Sequence, residues 1–206
     1  MKKLLLTLFT LTLFILLFSA QTRITASAKE NSSSDQTTIN VSAKNGSDIS
    51  DKLREALINA RDLAENSGQI ITVKVKEGDY YLSKSLHIYS NTTLDVTNVH
   101  LTCQGTKKIN MVISGTNAPY RGYEQFNSSE GCSGYDAFEN ITVLGGTWES
   151  TPENTGSMIR IFHARNVTLD GLTLAGGGCV HQMEVAAIDG FYVRNCTFLD
   201  HGKSAD

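Results

Sequence analysis

A carboxylate and several imidazoles fall within a short span of the sequence: Arg160, His163, His181 and Glu184, followed by Asp200 and His201. A carboxylate beside an imidazole can serve as acid and base, protonating a glycosidic oxygen or removing the proton next to a uronate carboxyl. On that reading Glu184, His181 and His201 are the candidate catalytic residues and Arg160 is a candidate substrate-binding residue. The same side chains have plainer uses, Arg160 and Glu184 as a surface ion pair worth about 0–1 kcal/mol and the histidines as polar corner residues. A second group, Tyr120, Arg121, Tyr123, Phe126 and Tyr135, lies in Gly115–Ala137, a Gly/Ser/Asn-rich stretch too long for a corner. Rings there can wall a groove and stack on sugar faces while Arg121 meets an acidic group, or they can pack against the body of the protein.

Positioning such residues requires a scaffold, and the sequence repeats. Phe138–Trp148, Ala164–Leu174 and Ile188–Phe198 read FENITVLGGTW, ARNVTLDGLTL and IDGFYVRNCTF and align without a gap. Asn140 and Asn166 are 26 residues apart, and Asn166 and Gly190 are 24 apart. Short alternating strands with Gly or Asn at fixed corners and a period in this range predict a solenoid. Ile141, Val143, Val167, Leu169, Phe191 and Val193 are its predicted core.

The same period predicts a second column of strands. Ile159-Arg160-Ile161 precedes Met183-Glu184-Val185 by 24 residues. Ile159, Ile161, Met183 and Val185 should point inward, and Arg160 and Glu184 should stack on the outer sheet about 4.8 Å apart.

Upstream, Ile49, Leu53, Ala56, Leu57, Ala60, Leu63 and Ala64 follow a helical spacing, with Asp48 or Ser50 as N-cap and Asn66-Ser67-Gly68 as the stop. An amphipathic helix over Ile49–Asn66 would cover the apolar end of the first coil. From Gln69 the alternation has a period of two, giving strands at Ile71–Val75, Tyr80–Leu82, Leu86–Tyr89, Thr93–Val96, Val99–Thr102 and Met111–Ile113. Residues 29–47 read as a flexible linker with one short strand at Thr38–Val41.

Residues 1–28 have the form of a secretory signal: Lys2 and Lys3, an apolar run from Leu4 to Phe18 relieved only by Thr, and Ala26-Ser27-Ala28 as the cleavage site. The apolar run is shorter than the roughly 20 residues that span a bilayer comfortably. Cleavage after Ala28 removes three of the 18 basic residues and none of the 21 acids, leaving a net charge near −6. That balance argues against nucleic acid, which needs a basic stripe, and no membrane contact is expected after cleavage. Cys103, Cys132, Cys179 and Cys196 match no zinc spacing and allow three disulfide pairings in an exported chain. No motif specifies a metal or a cofactor. Asn91, Asn127, Asn140, Asn166 and Asn195 each start an Asn-x-Ser/Thr triplet, which left-handed corners followed by a strand Thr also produce.

The order of helix, strand, Glu77-Gly78-Asp79-Tyr80-Tyr81, Leu86-His87-Ile88 and Ser90-Asn91-Thr92-Thr93-Leu94 resembles the entry into right-handed parallel β-helix proteins of the pectate-lyase-like superfamily, which includes polygalacturonases, pectate lyases and phage tailspike enzymes. The resemblance runs from about Asp48 to Asp206. It implies an all-β class, a right-handed parallel β-helix solenoid with an N-terminal amphipathic capping helix over residues 48–206. It also implies a polysaccharide substrate or ligand and hydrolase or lyase chemistry. Lys76-Glu77-Gly78 stands where many relatives have Pro-x-Gly. The polygalacturonase set of Asn-Thr-Asp, Asp-Asp, Gly-His-Gly and Arg-x-Lys is absent apart from the fragment Asp200-His201-Gly202, as is the acidic cluster with which pectate lyases hold calcium. The competing expectations are a non-catalytic, glycan-binding or adhesin-like surface β-helix and an inactive fragment. A repeat that stops at a full-sized coil is itself the expectation of a longer parent chain.

Overall fold

Alternating β-branched and polar residues favour extended backbone, and wherever the sequence alternates after Gln69 the chain forms short strands. The computed structural model describes residues 37–104, 108–114, 134–151, 153–177 and 181–201. In chain order these hold β1 (Thr38–Val41), α1 (Ser50–Ser67), β2 (Ile71–Val75), β3 (Gly78–Leu82), β4 (Leu86–Ile88), β5 (Thr92–Asp95), β6 (Val99–Cys103) and β7 (Val112–Ser114). There follow β8 (Phe138–Leu144), β9 (Thr147–Ser150), β10 (Ser157–Asp170), β11 (Thr173–Gly176), β12 (His181–Arg194) and β13 (Thr197–Leu199). Among the described residues the protein is predominantly β with one helix, and its paired strands run parallel.

The strands make two curled sheets. One has the order β1-β2-β5-β8-β10-β7-β4, with β12 also on β10, and the other the order β13-β11-β9-β6-β3. The larger sheet bends within β10, whose residues 159–160 pair with β7 while residues 164–170 pair with β8. His163 adopts φ 52° at that bend, and Ala187 adopts φ 52° at the equivalent point of β12. The chain therefore visits three sheet limbs in turn and returns to each one coil later, an arrangement consistent with a parallel solenoid.

Register fixes the core. Ile71, Thr92, Ile141, Val167 and Phe191 form one column, and Val73, Leu94, Val143, Leu169 and Val193 the next. Tyr80, Leu101, Trp148, Leu174 and Phe198 line up on the smaller sheet, and Leu86, Val112, Ile159 and Met183 on the third limb. Those on the earlier coils are buried, each large aliphatic contributing about 1.5–3 kcal/mol, while on the last coil Phe191 and Met183 are half-buried and Phe198 is exposed. Val193 departs from its predicted place in the core. It is 37% exposed, because β12 has a strand neighbour on one side only among the described residues.

The aligned repeats hold without a gap. Ala164 lies beside Phe138 and Ile188, and Thr173 beside Thr147 and Thr197. The Asn residues at the corners have the left-handed backbone that the spacing implied: φ is 54° at Asn91, 53° at Asn140 and 54° at Asn166. Side-chain amides join these three coil to coil.

The short strand expected at Thr38–Val41 is present as β1, which pairs with β2 in register, and the Asn45 side chain accepts from the Asp79 N–H at 2.6 Å. The edge of β2 otherwise has unpaired amides, and β1 supplies their partners. The N-cap is Ile49, not Asp48 or Ser50. Asp48 instead accepts the Ser50 N–H at 2.9 Å, and the Ser50 hydroxyl accepts the Ser83 N–H at 2.9 Å. Leu63 lies off the buried stripe of Leu53, Ala56, Leu57, Ala60 and Ala64 and is exposed. Gly68 ends the helix at φ 69°, its N–H bonded to the Ala64 carbonyl at 2.8 Å. The helix packs on β1, β2, β4 and β5. Residues 1–28 lie outside the described residues, and no described helix is long and apolar enough to cross a membrane.

Candidate functional site

The predicted stacking of Arg160 on Glu184 is present. The two are register partners on β10 and β12, with Nε 3.0 Å from Oε2 and Nη2 donating to Oε1 at 3.4 Å. Glu184 Oε2 also accepts from the Ser157 hydroxyl at 2.8 Å. Arg160 is buried, contrary to its expected place on an open surface, and its guanidinium lies 4.7 Å from the centroid of the Phe162 ring. Both oxygens of Glu184 are thus engaged by groups of its own scaffold, the geometry of a structural pair.

The other predicted residues do not join it. His181 and His201 are exposed, and among the described residues no side-chain hydrogen bond or ion pair links either to Glu184. His163 turns its Nδ1 to the Gly134 carbonyl at 2.9 Å. Tyr120, Arg121, Tyr123 and Phe126 lie outside the described residues, and Tyr135 is exposed. Cys103 is buried and Cys196 half-buried, and neither is in a disulfide. Cys132 and Cys179 lie outside the described residues.

A different group comes together at the corner between the limb of β2, β5 and β8 and the smaller sheet. His100 lies on β6 between Asp79 of β3 and Glu149 of β9, its Nδ1 3.4 Å from Asp79 Oδ1 and its Nε2 2.9 Å from Glu149 Oε2. Asp79 and His100 are register partners, and Glu149 is the partner of Thr102, two residues further along β6. These side chains stand outward because Tyr80, Leu101 and Trp148 between them point into the core.

Asp79 and His100 line an open groove of about 600 Å³ that also includes Glu77, Asn98, Thr147 and Thr173. Its floor is made of glycines at the coil corners. Gly145 has φ 66°, and a Cβ there would come within 2.8 Å of the Thr97 Cα, so only glycine lets the two coils approach this closely. A second groove of about 530 Å³ adjoins it, sharing Glu77, Thr97 and Asn98 and adding Lys74 and Lys76. Lys74 faces Asp95 at 3.4 Å. Burial pushes the Asp95 carboxyl up, but hydrogen bonds from Thr97 and the nearby Lys74 outweigh it and leave the group below its ordinary value.

The sequence reading missed Asp79, His100 and Glu149. The available signal was the alignment of Asp79-Tyr80-Tyr81-Leu82 on His100-Leu101-Thr102-Cys103, which puts an acid and an imidazole on one outer column. Asp79 and His100 are 21 residues apart, outside the 24–26-residue period of the later repeats, so that period does not reveal the pairing.

One further imidazole is perturbed. His87 on β4 is buried beneath α1, and loss of solvent, with Arg54 nearby, pulls it down to about 4. It is a neutral core residue near neutral pH. Among the described residues no group of His, Cys, Asp and Glu is arranged to hold a metal ion. Comparison with protein-family models, with curated proteins and with solved structures finds no match to this chain.

Proposed function

We propose that this is an exported right-handed parallel β-helix protein of the pectate-lyase-like kind that binds a polysaccharide along the corner groove. The observation that carries the reading is the groove itself. It is long, open and polar, crosses successive coils, and presents Asn98, His100, Thr147 and Thr173 at strand spacing above a glycine floor. Hydroxyl, amide and imidazole groups repeated about every 4.8 Å suit an extended polyhydroxylated chain. The signal-like segment at residues 1–28 supports export, and the three-limbed course of parallel strands supports the β-helix.

Binding comes before cleavage in this reading because both ring nitrogens of His100 face carboxylates and both oxygens of Glu184 are engaged. Cleavage is the second reading, favoured by an imidazole in contact with a carboxylate at the wall of the groove, a pair able to pass a proton. Affinity electrophoresis against pectin, polygalacturonate and rhamnogalacturonan tests binding. Retardation by one of them that is lost in Thr173→Trp, with melting unchanged, supports the groove, and equal mobility in every gel refutes it. New reducing ends or ultraviolet-absorbing unsaturated products would establish cleavage.

A further inference from the structure

His100 touches a carboxylate on each side, and the three side chains belong to three successive coils. The number of protons on its ring decides how many of those contacts are attractive. An imidazolium has two N–H donors, one hydrogen-bonded to Glu149 at 2.9 Å and the other facing Asp79 as an ion pair at 3.4 Å. A neutral imidazole has one, so the other carboxylate faces a ring lone pair. Two acceptors at 2.9 or 3.4 Å do not attract, and that carboxylate must take its hydrogen bond from elsewhere. Asp79 and Glu149 are both largely exposed, and Asp79 lines the groove, where a bound chain would offer hydroxyl donors.

We propose that His100 is a proton-controlled latch on the groove. With the proton on, the imidazole ties Asp79 and Glu149 to itself; with it off, one carboxylate is released to accept sugar hydroxyls. This rests on the polysaccharide reading of the groove and adds its regulation. Glu77 is the remaining ionisable group lining this groove and is a carboxylate, so no lysine or arginine there competes with the imidazole for Asp79. Lys74 and Lys76 line only the adjoining groove. By linkage, capture of a chain by the freed carboxylate releases a proton, and acidification expels the chain.

The test uses the protein and methyl-esterified pectin, a mainly uncharged chain whose own ionisation does not change across the range. Affinity is measured from pH 8 to pH 5 for the wild type and for His100→Gln, which keeps one donor and one acceptor at every pH. The expected result is about a tenfold weakening in the wild type and a flat profile in the variant. Matching profiles in the two proteins overturn the latch. If no glycan of the panel binds at any pH, the polysaccharide reading fails, and the latch is then decided without ligand by carbon and nitrogen chemical shifts. Asp79 and Glu149 carboxyl signals that move together with the His100 ring support it, and independent movement overturns it.

Discussion

Asn166 donates its side-chain amide to the Asn140 side-chain carbonyl at 2.6 Å, and both residues hold left-handed backbone at the same corner of consecutive coils. Asn140 repeats the bond to Asn91 at 2.7 Å, so it is both donor and acceptor in a ladder. Asn140→Gly keeps the backbone conformation and loses the amide bonds, each worth about 1 kcal/mol, with a smaller cost of roughly 0.5 kcal/mol from the added flexibility of the unfolded chain. Asn140→Ala loses the bonds and adds a left-handed penalty of about 1–2 kcal/mol. Urea denaturation should therefore rank wild type above Asn140→Gly and Asn140→Gly above Asn140→Ala. Equal losses in the two variants would mean that the corner conformation carries no cost.

Two other corners predict changes of opposite sign. Ala187 has φ 52°, and Ala187→Gly should gain up to about 1 kcal/mol, since relief of the left-handed cost exceeds the added flexibility of the unfolded chain. Gly176 has φ 75°, and a Cβ there would collide with the Ser150 carbonyl oxygen. Gly176→Ala should lose about 3 kcal/mol through backbone displacement. Thermal melting of both variants is the check, and a rise for Gly176→Ala would contradict the packing of these coils.

His87 sets an acid limit on stability. Its folded value of about 4 lies below the ordinary 6.5, so the fold favours the neutral ring. That stability is complete above pH 6.5 and is lost as the unfolded chain takes up protons between pH 6.5 and 4. The loss amounts to about 3 kcal/mol at the lower limit. Asp48 behaves differently. Burial pushes its carboxyl up, but hydrogen bonds from Ser50 and Ser83 outweigh that and leave it below 3.8, so its contribution is lost only at lower pH. Denaturation at pH 7 and pH 4.5 should show a steep fall for wild type and a shallower one for His87→Gln. Parallel curves would remove His87 from the account.

Glu184→Gln separates a structural from a chemical role for the Arg160 pair. The Arg160 side chain is only 9% exposed, and removing the charge opposite it should cost about 2 kcal/mol, less than a wholly buried pair because Glu184 is partly solvated. Replacing both residues by methionine should cost less than the sum of the single replacements. An unchanged melting temperature for Glu184→Gln, with loss of any pectin-cleaving activity, would return Glu184 to the catalytic role.

Much of the fold was legible because register and sequence period are the same quantity in a stack of parallel strands. Aligning Asn140 with Asn166 already placed Val167 beside Ile141, and aligning Asn166 with Gly190 placed Arg160 beside Glu184. The site was less legible for a related reason. Asp79 and His100 lie 21 residues apart before Ser114, whereas Glu149 lies beyond the insertion, 49 residues after His100, so no fixed spacing joins all three. The burial of Arg160 was equally hidden, since alternation tells which side of a strand a residue occupies but not what lies over it. Val193 carries the converse lesson: an inward position is buried only when another strand lies against it.

The columns of the stack stay in step across the interval between Ser114 and Phe138. Ser114 ends β7 in line with Ile88, and Phe138 opens β8 in line with Ala164. The length of sequence in that interval does not shift the inward and outward alternation of the strands that follow. That corner is thus a natural grafting point: new sequence can be spliced into it to change what the surface recognises, while the strands on either side keep their places.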